Sequence, residues 1–380
     1  MRRLLALLLF ITILTACLAA QDNISSLSPK DARSMGMGGG SKVFSSGYQS
    51  FFGNPAGYAD SRSITLADVA GWGYVRPSPA DIRALSEIAQ GDMTSADART
   101  TLGDLIAKND LGAGASLGFG WTGEGLGLGL TMISESLATG DDYSTAKASI
   151  RNEVSAILGI AFPVGLGPFT LTVGADVRAF YRLDSTNDWP FATLADAFLN
   201  KSGFNAQISE LDLVGGSGFA VDGGLTLRIG GFSLGVLVRD YGHNLTAGET
   251  SIKGIVESYY LPFDGDTALT LAPRYFVGMG FTFNHTKWLR SSIYVETDDP
   301  AGYAQKIQDG FSSSFEMLYA GAVLSFARVL ALRAGFNKGS LSFGLGLDLA
   351  LIELDFAIFS EHPNDEKIRT GIALQAAIRI

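Results

Sequence analysis

The chain has 380 residues, 47% of them hydrophobic and 17% charged, with 47 glycines, 24 Phe and 12 Tyr against four Trp. Soluble domains usually carry about 25% charged residues and about 7% Gly, so an ordinary cytosolic domain is a poor fit. The net charge of −10 excludes a nucleic-acid binder, whose surface would be basic.

The first twenty residues read as a secretory signal peptide: Arg2 and Arg3, the apolar run LLALLLFITIL, then ACLAA before Gln21. The run falls short of the roughly 20 apolar residues that a spanning helix needs. The single cysteine, Cys17, closes Leu14-Thr15-Ala16-Cys17, a tolerable lipobox, and is a candidate for lipidation. The alternative is ordinary cleavage near Ala19 or Ala20, which leaves a mature chain without cysteine. The expected division is a signal peptide over 1–20, an N-terminal segment over 21–60 and one domain over 61–380.

Residues 34–59 read SMGMGGGSKVFSSGYQSFFGNPAGYA. There is no helical stripe, and glycine and serine are too frequent for a packed strand. Met35, Met37, Val43, Phe44, Tyr48, Phe51 and Phe52 are interleaved, which excludes a plain linker. Asn54-Pro55 predicts a sharp turn in which the Asn side chain caps local N–H groups.

Beyond residue 60 the dominant signal is alternation. FTLTVGADVRAFYR sets Phe169, Leu171, Val173, Ala175 and Val177 against Thr170, Thr172, Gly174, Asp176 and Arg178. SLSFGLGLDLAL and the closing TGIALQAAIRI behave likewise, each with one greasy face and one small or polar face. Such segments fall near 62–74, 112–122, 125–135, 149–162, 168–183, 217–229, 231–241, 273–283, 289–297, 316–326, 329–337, 340–349, 351–360 and 369–380. Several reach the length of about 9–11 residues that a tilted strand needs to cross a bilayer. With export and no spanning helix, a closed barrel satisfies every backbone group in lipid. The predicted fold is therefore all-β: a transmembrane antiparallel β-barrel of about fourteen strands.

Connections alternate in length. Gly123-Glu124, 163–167, Gly230, 284–288, Ala327-Arg328 and Ala350 are short, while 75–111, 136–148, 184–216, 242–272 and 298–315 are long, as expected for periplasmic turns and outer loops. The long loops carry helices: Ser78 is an N-cap with Pro79 at the first helical position, SADARTTLGDLIAK continues, and ATLADAFLNK follows Pro190. They read either as lids over the mouth or as ordered loop packing.

On the polar phase of the strands lie Arg178, Arg182, Arg228, Arg239, Arg274 and Arg333, together with Asp176, Asp222, Asp348, Glu353 and Asp355. One reading is a set of internal ion pairs, since buried charges must be paired. The other is that some of these arginines bind the carboxylate or phosphate head of an amphipathic ligand. Enzyme chemistry finds no support: GLGLGL at 125–130 has no following helix, and no Gly-x-Ser-x-Gly elbow occurs. His243, His285 and His362 lack metal-ligand spacing, so neither a metal nor a cofactor is expected.

ARSMGMGGG followed by FFGNPAG resembles the start of FadL-type outer-membrane channels, the long-chain fatty acid transport family. The wider superfamily it resembles includes PorV-like and TraF-like barrels. The closing run RAGFNKGSLSFGLGLDLALIELDFAIF is similar to that superfamily's last hairpins, although Ile380 stands where many outer-membrane barrels have an aromatic residue. The resemblance implies a fourteen-stranded barrel with an N-terminal hatch in the lumen, with Gly36, Gly38, Gly39, Asn54, Pro55 and Ala56 as hatch positions and Phe51 and Phe52 wedged beside them. The function it implies is passive uptake across the outer membrane of hydrophobic or amphipathic molecules such as fatty acids. The alternatives are a PorV-like scaffold that binds an envelope protein partner without a transport path, and a lipidated soluble β protein.

Overall fold

A strand with alternate apolar residues must set one face against something greasy and the other against what it encloses. The computed structural model describes residues 23–24, 27–60, 62–185, 189–199, 209, 211–241, 244–258, 261–262, 265, 267–309, 311–364 and 367–380. Within these residues fourteen strands form the wall: β1 Ser63–Tyr74, β2 Leu111–Gly123, β3 Leu126–Thr139, β4 Lys147–Leu166, β5 Phe169–Ser185, β6 Asp212–Ile229 and β7 Phe232–Tyr241. The second half comprises β8 Arg274–Asn284, β9 Leu289–Thr297, β10 Tyr319–Phe326, β11 Leu330–Asn337, β12 Ser340–Asp348, β13 Ile352–Asn364 and β14 Lys367–Arg379. The expected signal peptide, Cys17 and His243 lie outside the described residues.

Every neighbouring pair is antiparallel, including β7 with β8 across a long connection, from Arg239↔Arg274 to Phe232↔Phe281. β14 returns to β1 from Gly371↔Tyr74 to Arg379↔Thr65. Ile64 and Ile380 exchange two backbone hydrogen bonds of 2.9 Å at the end of that seam. The sheet is thus a closed barrel, with no edge left to satisfy in lipid.

The two faces separate as the alternation predicts. In β5, Thr172, Gly174, Asp176, Arg178, Phe180 and Arg182 are buried, while Val173, Ala175 and Val177 are exposed. The outward belt continues through Leu128, Leu130 and Met132 of β3, Leu158 and Phe162 of β4, Leu341 and Phe343 of β12 and Leu374 of β14, each 43–63% exposed. A continuous apolar belt of this kind belongs in lipid. Among the described residues no helix is long and apolar enough to span a membrane.

Strand limits differ from the sequence reading in identifiable ways. β4 and β6 extend beyond the expected 149–162 and 217–229, because hydrogen bonding between β5 and its neighbours continues past the alternating stretch. The turn after β4 shrinks to Gly167-Pro168, with Gly167 at φ 66°. Strand β10 starts only at Tyr319, because 311–317 forms a 3-10 turn. Within the long connection after β7, Asn244–Ser251 pairs with β6 and with Thr267–Leu271, raising the wall on that side.

The loop helices bury against each other. α1 Pro79–Gln90 is capped by Ser78 Oγ accepting from Asp81 N, and α2 Ser95–Asn109 by Thr94 Oγ1 accepting from Asp97 N. Ile88, Ala98 and Leu102 meet Ala195 of α3 Phe191–Leu199. Asp196 accepts from Tyr143 Oη at 2.5 Å and Arg99 Nε at 2.7 Å, which holds its carboxyl below the usual range. Asn109 exchanges hydrogen bonds with the backbone of Thr370, and Arg369 reaches Asp110 at 2.8 Å, fastening this cluster to β14.

Leu158, near the centre of β4 and 60% exposed, is a direct probe of the lipid face. Leu158→Arg should destabilise the barrel by about 2–4 kcal/mol in reversible folding into vesicles, the range for cations at the bilayer midplane. The same change at Leu349, in the turn after β12, should cost about 0–1 kcal/mol, as for residues near the interface.

Candidate functional site: a segment seated in the lumen

Residues 27–60 pack against the inner wall, and their backbone leaves the extended state despite the absence of a helical stripe. Asp31 Oδ1 accepts from Ser34 N at 2.9 Å and starts a single turn, Ala32–Met35. Two 3-10 turns follow, Gly47–Phe52 and Pro55–Ala59. The second begins as the Asn-Pro pair predicts, with Asn54 Oδ1 accepting from Ala56 N at 2.9 Å and Pro55 at the first helical position.

Asn54 is fully buried and links segment to wall. Its Nδ2 donates to Val43 O at 2.9 Å within the segment and to Val236 O of β7 at 3.2 Å. Its backbone N donates to Ser45 Oγ at 2.7 Å and Lys42 O at 2.9 Å. On the opposite side Glu296 of β9 accepts from Lys42 N and Val43 N, each at 3.1 Å. Tyr294 Oη donates to Met37 O at 2.6 Å, Tyr58 Oη to Asp176 at 2.8 Å, and Arg228 pairs with Asp60 at 2.8 Å.

The barrel's glycines explain how so many side chains fit. Tyr58 is fully buried, seated against Gly127 and Gly159; a Cβ at Gly127 would lie 2.6 Å from its ring. Phe51 is seated against Gly120 and Gly129, where a Cβ would come to 2.8 and 2.6 Å of its ring. Gly174 meets the backbone of Pro55-Ala56, Gly224 meets Asn54, and Gly235 meets Val43. Gly38 has φ 83° beside the Phe336 backbone, a conformation in which glycine is at ease. Of the residues expected in a hatch, Gly36 meets Gly344 Cα at the distance where a Cβ would clash, Gly39 sits at φ 71°, and Phe51, Phe52, Asn54, Pro55 and Ala56 are buried.

The lumen arginines face carboxylates. Arg178 hydrogen-bonds Asp240, Arg182 Nε reaches Asp184 at 2.8 Å, and Arg333 reaches Asp355 at 2.5 Å. Arg239 is fully buried 3.9 Å from both Asp222 and Asp240, and Arg274 lies 3.6 Å from Asp240. Asp348 is instead exposed and caps the turn at Ala350. None of Arg178, Arg182, Arg239 and Arg333 lines either of the two cavities beside the segment, whereas Arg274 lines the upper and Arg228 the lower.

The segment divides the lumen. On the long-loop side a cavity of about 360 Å³ is lined by Leu27, Met35, Phe52 and Phe276 together with Lys42, Arg274 and Glu296. On the short-turn side a second cavity of about 690 Å³ is lined by Arg33, Phe44, Asp60, Arg228 and Arg290 among others. The sequence reading did not single out Lys42. Its ammonium lies 3.4 Å from Ser28 Oγ and 5.7 Å from the Phe276 ring, with no carboxylate within ion-pair distance among the described residues. Its position between a glycine run and an apolar pair, GGGSKVF, was the available signal.

Among the described residues no group of His, Cys, Asp and Glu could hold a metal ion. His285 lies 2.7 Å from Ser291 in a short turn, and His362 is 3.3 Å from Ser340 on the rim.

Docking of the segment depends on the glycine seats. Gly127→Leu should eject Tyr58 while the barrel still forms, so that trypsin cuts the solubilised protein after Arg33 and Lys42; wild-type resistance would contradict the packing described. Asn54→Ala strands the Val43 and Val236 carbonyls and should cost about 1–3 kcal/mol in denaturant unfolding.

No family model and no curated protein matches the chain. Among solved structures it is similar to the CymD monoaromatic hydrocarbon channel, with TM-score 0.51 and 13% identity over 94% of this chain and 98% of that one. It is also similar to the Pseudomonas putida toluene transporter TodX, with TM-score 0.47 and 14% identity over 94% and 98%. A Pseudomonas aeruginosa FadL homologue aligns at TM-score 0.44 and 11% identity over 94% and 99%. The likeness to CymD is one of fold: a closed, fourteen-stranded antiparallel barrel.

Proposed function

We propose that this protein is an outer-membrane channel for passive uptake of amphipathic molecules with an anionic head, fatty acids being the leading class. The observation that carries this reading is the upper cavity. Its volume of about 360 Å³ lies within the range of about 300–1,000 Å³ common for small-molecule sites. Apolar side chains, Leu27, Met35, Phe52 and Phe276, share its wall with Lys42 and Arg274. A bare hydrocarbon leaves the Lys42 ammonium without an ion-pair partner among the described residues, whereas a carboxylate head meets it and its chain lies against the apolar side. The barrel fold, shared with a hydrocarbon channel, supports passage of a greasy solute.

In this reading the inserted segment is a hatch. The ligand enters among the outer loops, its head meets Lys42, and a shift of residues 27–60 opens the way onward. The reading calls for no catalytic step and no cofactor. The hatch is held by hydrogen bonds and close packing, so its opening must break the contacts of Asn54, Tyr58 and Glu296 with their partners.

The hatch is tested by locking it. Val43→Cys with Gly235→Cys joins segment to β7, since a side chain at Gly235 meets Val43. Uptake of labelled oleate into cells or proteoliposomes should fall several-fold in the oxidised protein and return on reduction; undiminished uptake sinks the hatch. Lys42→Glu should weaken oleate binding at least tenfold, about 1.4 kcal/mol. Unchanged affinity would remove Lys42 from the site.

A further inference from the structure

The two cavities share part of their lining. Ser34, Ser41, Ser45 and Gln49 face the upper chamber and the lower chamber alike. These four residues therefore stand between the two chambers at this place. They bring the hydroxyls of Ser34 and Ser41, the Ser45 hydroxyl that accepts from Asn54 N, and one amide, with no apolar side chain common to both linings. Gln49 Nε2 is buried and makes no hydrogen bond, so rotation of the amide breaks none there. The surrounding anchors, Asn54 and Glu296, hold the backbone on either side and need not move for the amide to swing.

Charge is placed on both sides of this seam. Lys42 lines the upper chamber, and Arg33 and Arg290 line the lower one. Among the described residues none of these three has a carboxylate within ion-pair distance, whereas Arg228 is neutralised by Asp60 and Arg379 by Asp68 at 2.6 Å and by Glu353. Lys42 shares its chamber with the carboxylates of Asp31 and Glu296. Arg33 and Arg290 on the lower side stand without ion-pair partners among the described residues, and such cations raise the local concentration of anions. A constriction of hydroxyls and an amide offers donors and acceptors that replace part of an ion's hydration, as selective pores do.

We infer that the seam formed by Ser34, Ser41, Ser45 and Gln49 is an axial constriction through the seated segment that passes small hydrated anions, with Gln49 as its movable side chain. The inference rests on the two chambers and their shared wall and holds irrespective of whether an amphipath binds above. It also differs from displacement of the whole segment, because the anchors stay in place.

The experiment is conductance of the purified full-length protein in planar lipid bilayers with potassium chloride, using chloride itself as the probe. The wild type should conduct with chloride preferred over potassium. Gln49→Ala should raise conductance at least twofold, and Gln49→Trp should lower it at least threefold. Lys42→Ala and Arg33→Ala should each move the reversal potential toward potassium. Heat-modifiable migration and trypsin resistance establish that each variant is folded with its segment seated. Silence in both wild type and Gln49→Ala, conductance indifferent to both Gln49 variants, or a preference for potassium would each overturn the inference. Loss of oleate uptake with conductance intact would instead strike only the amphipath reading.

Discussion

Closing fourteen strands satisfies every rung of the ladder but encloses more space than the inward side chains can fill. That mismatch governs the rest of this structure. The wall faces the lumen largely with glycine, serine and short polar residues, and residues 27–60 supply the missing bulk in Phe51, Tyr58, Tyr48 and Met35. The barrel's high glycine content is thus a property of the seat rather than of the strands. Gly120, Gly129, Gly127 and Gly159 are cut to two aromatic rings, and Gly174 and Gly224 to the Asn54-Pro55 turn. Asn54 and Glu296 then set the position of the segment by hydrogen bonds that burial makes expensive to break.

Charge inside the wall follows from the same geometry. A carboxylate or guanidinium on the inner face is shielded by the seated segment, so it must find its opposite nearby. Asp176, Asp222 and Asp240 gather with Arg178, Arg239 and Arg274 for this reason, and Arg333 with Asp355. Cations at the chamber walls are arranged differently. Lys42, Arg33 and Arg290 stand there without ion-pair partners among the described residues, and both functional proposals grow from that contrast.

Much of the fold was legible because a period of two is a local signal: each of the fourteen alternating segments became a strand, with errors confined to its ends. Those ends depend on how far a neighbour continues, as β4 and β6 show, and a single strand does not carry that information. The turn at Asn54-Pro55 was legible for the same local reason. The seats were not, since which glycine faces Tyr58 is decided by register between strands far apart in the chain. The arginines could be placed on the inner face from their phase. Asp222 and Asp355 could be placed with them, but Asp240 could not, because it sits at φ 60° in a bulge where β6 and β7 shift register, outside any periodic pattern. Lys42 escaped notice because its isolation is a fact about its surroundings, not its sequence.

The central claim is that the chamber above the seated segment holds an amphipath with an anionic head. It is tested most directly by purifying the protein from outer membranes in mild detergent and identifying by mass spectrometry whatever stays bound, against a mock-purified control. The account predicts a fatty acid or similar anionic amphipath, absent from the control and lost in Lys42→Glu. A barrel that carries only detergent, and that copurifies with a stoichiometric envelope protein, would contradict it and identify the molecule as a scaffold.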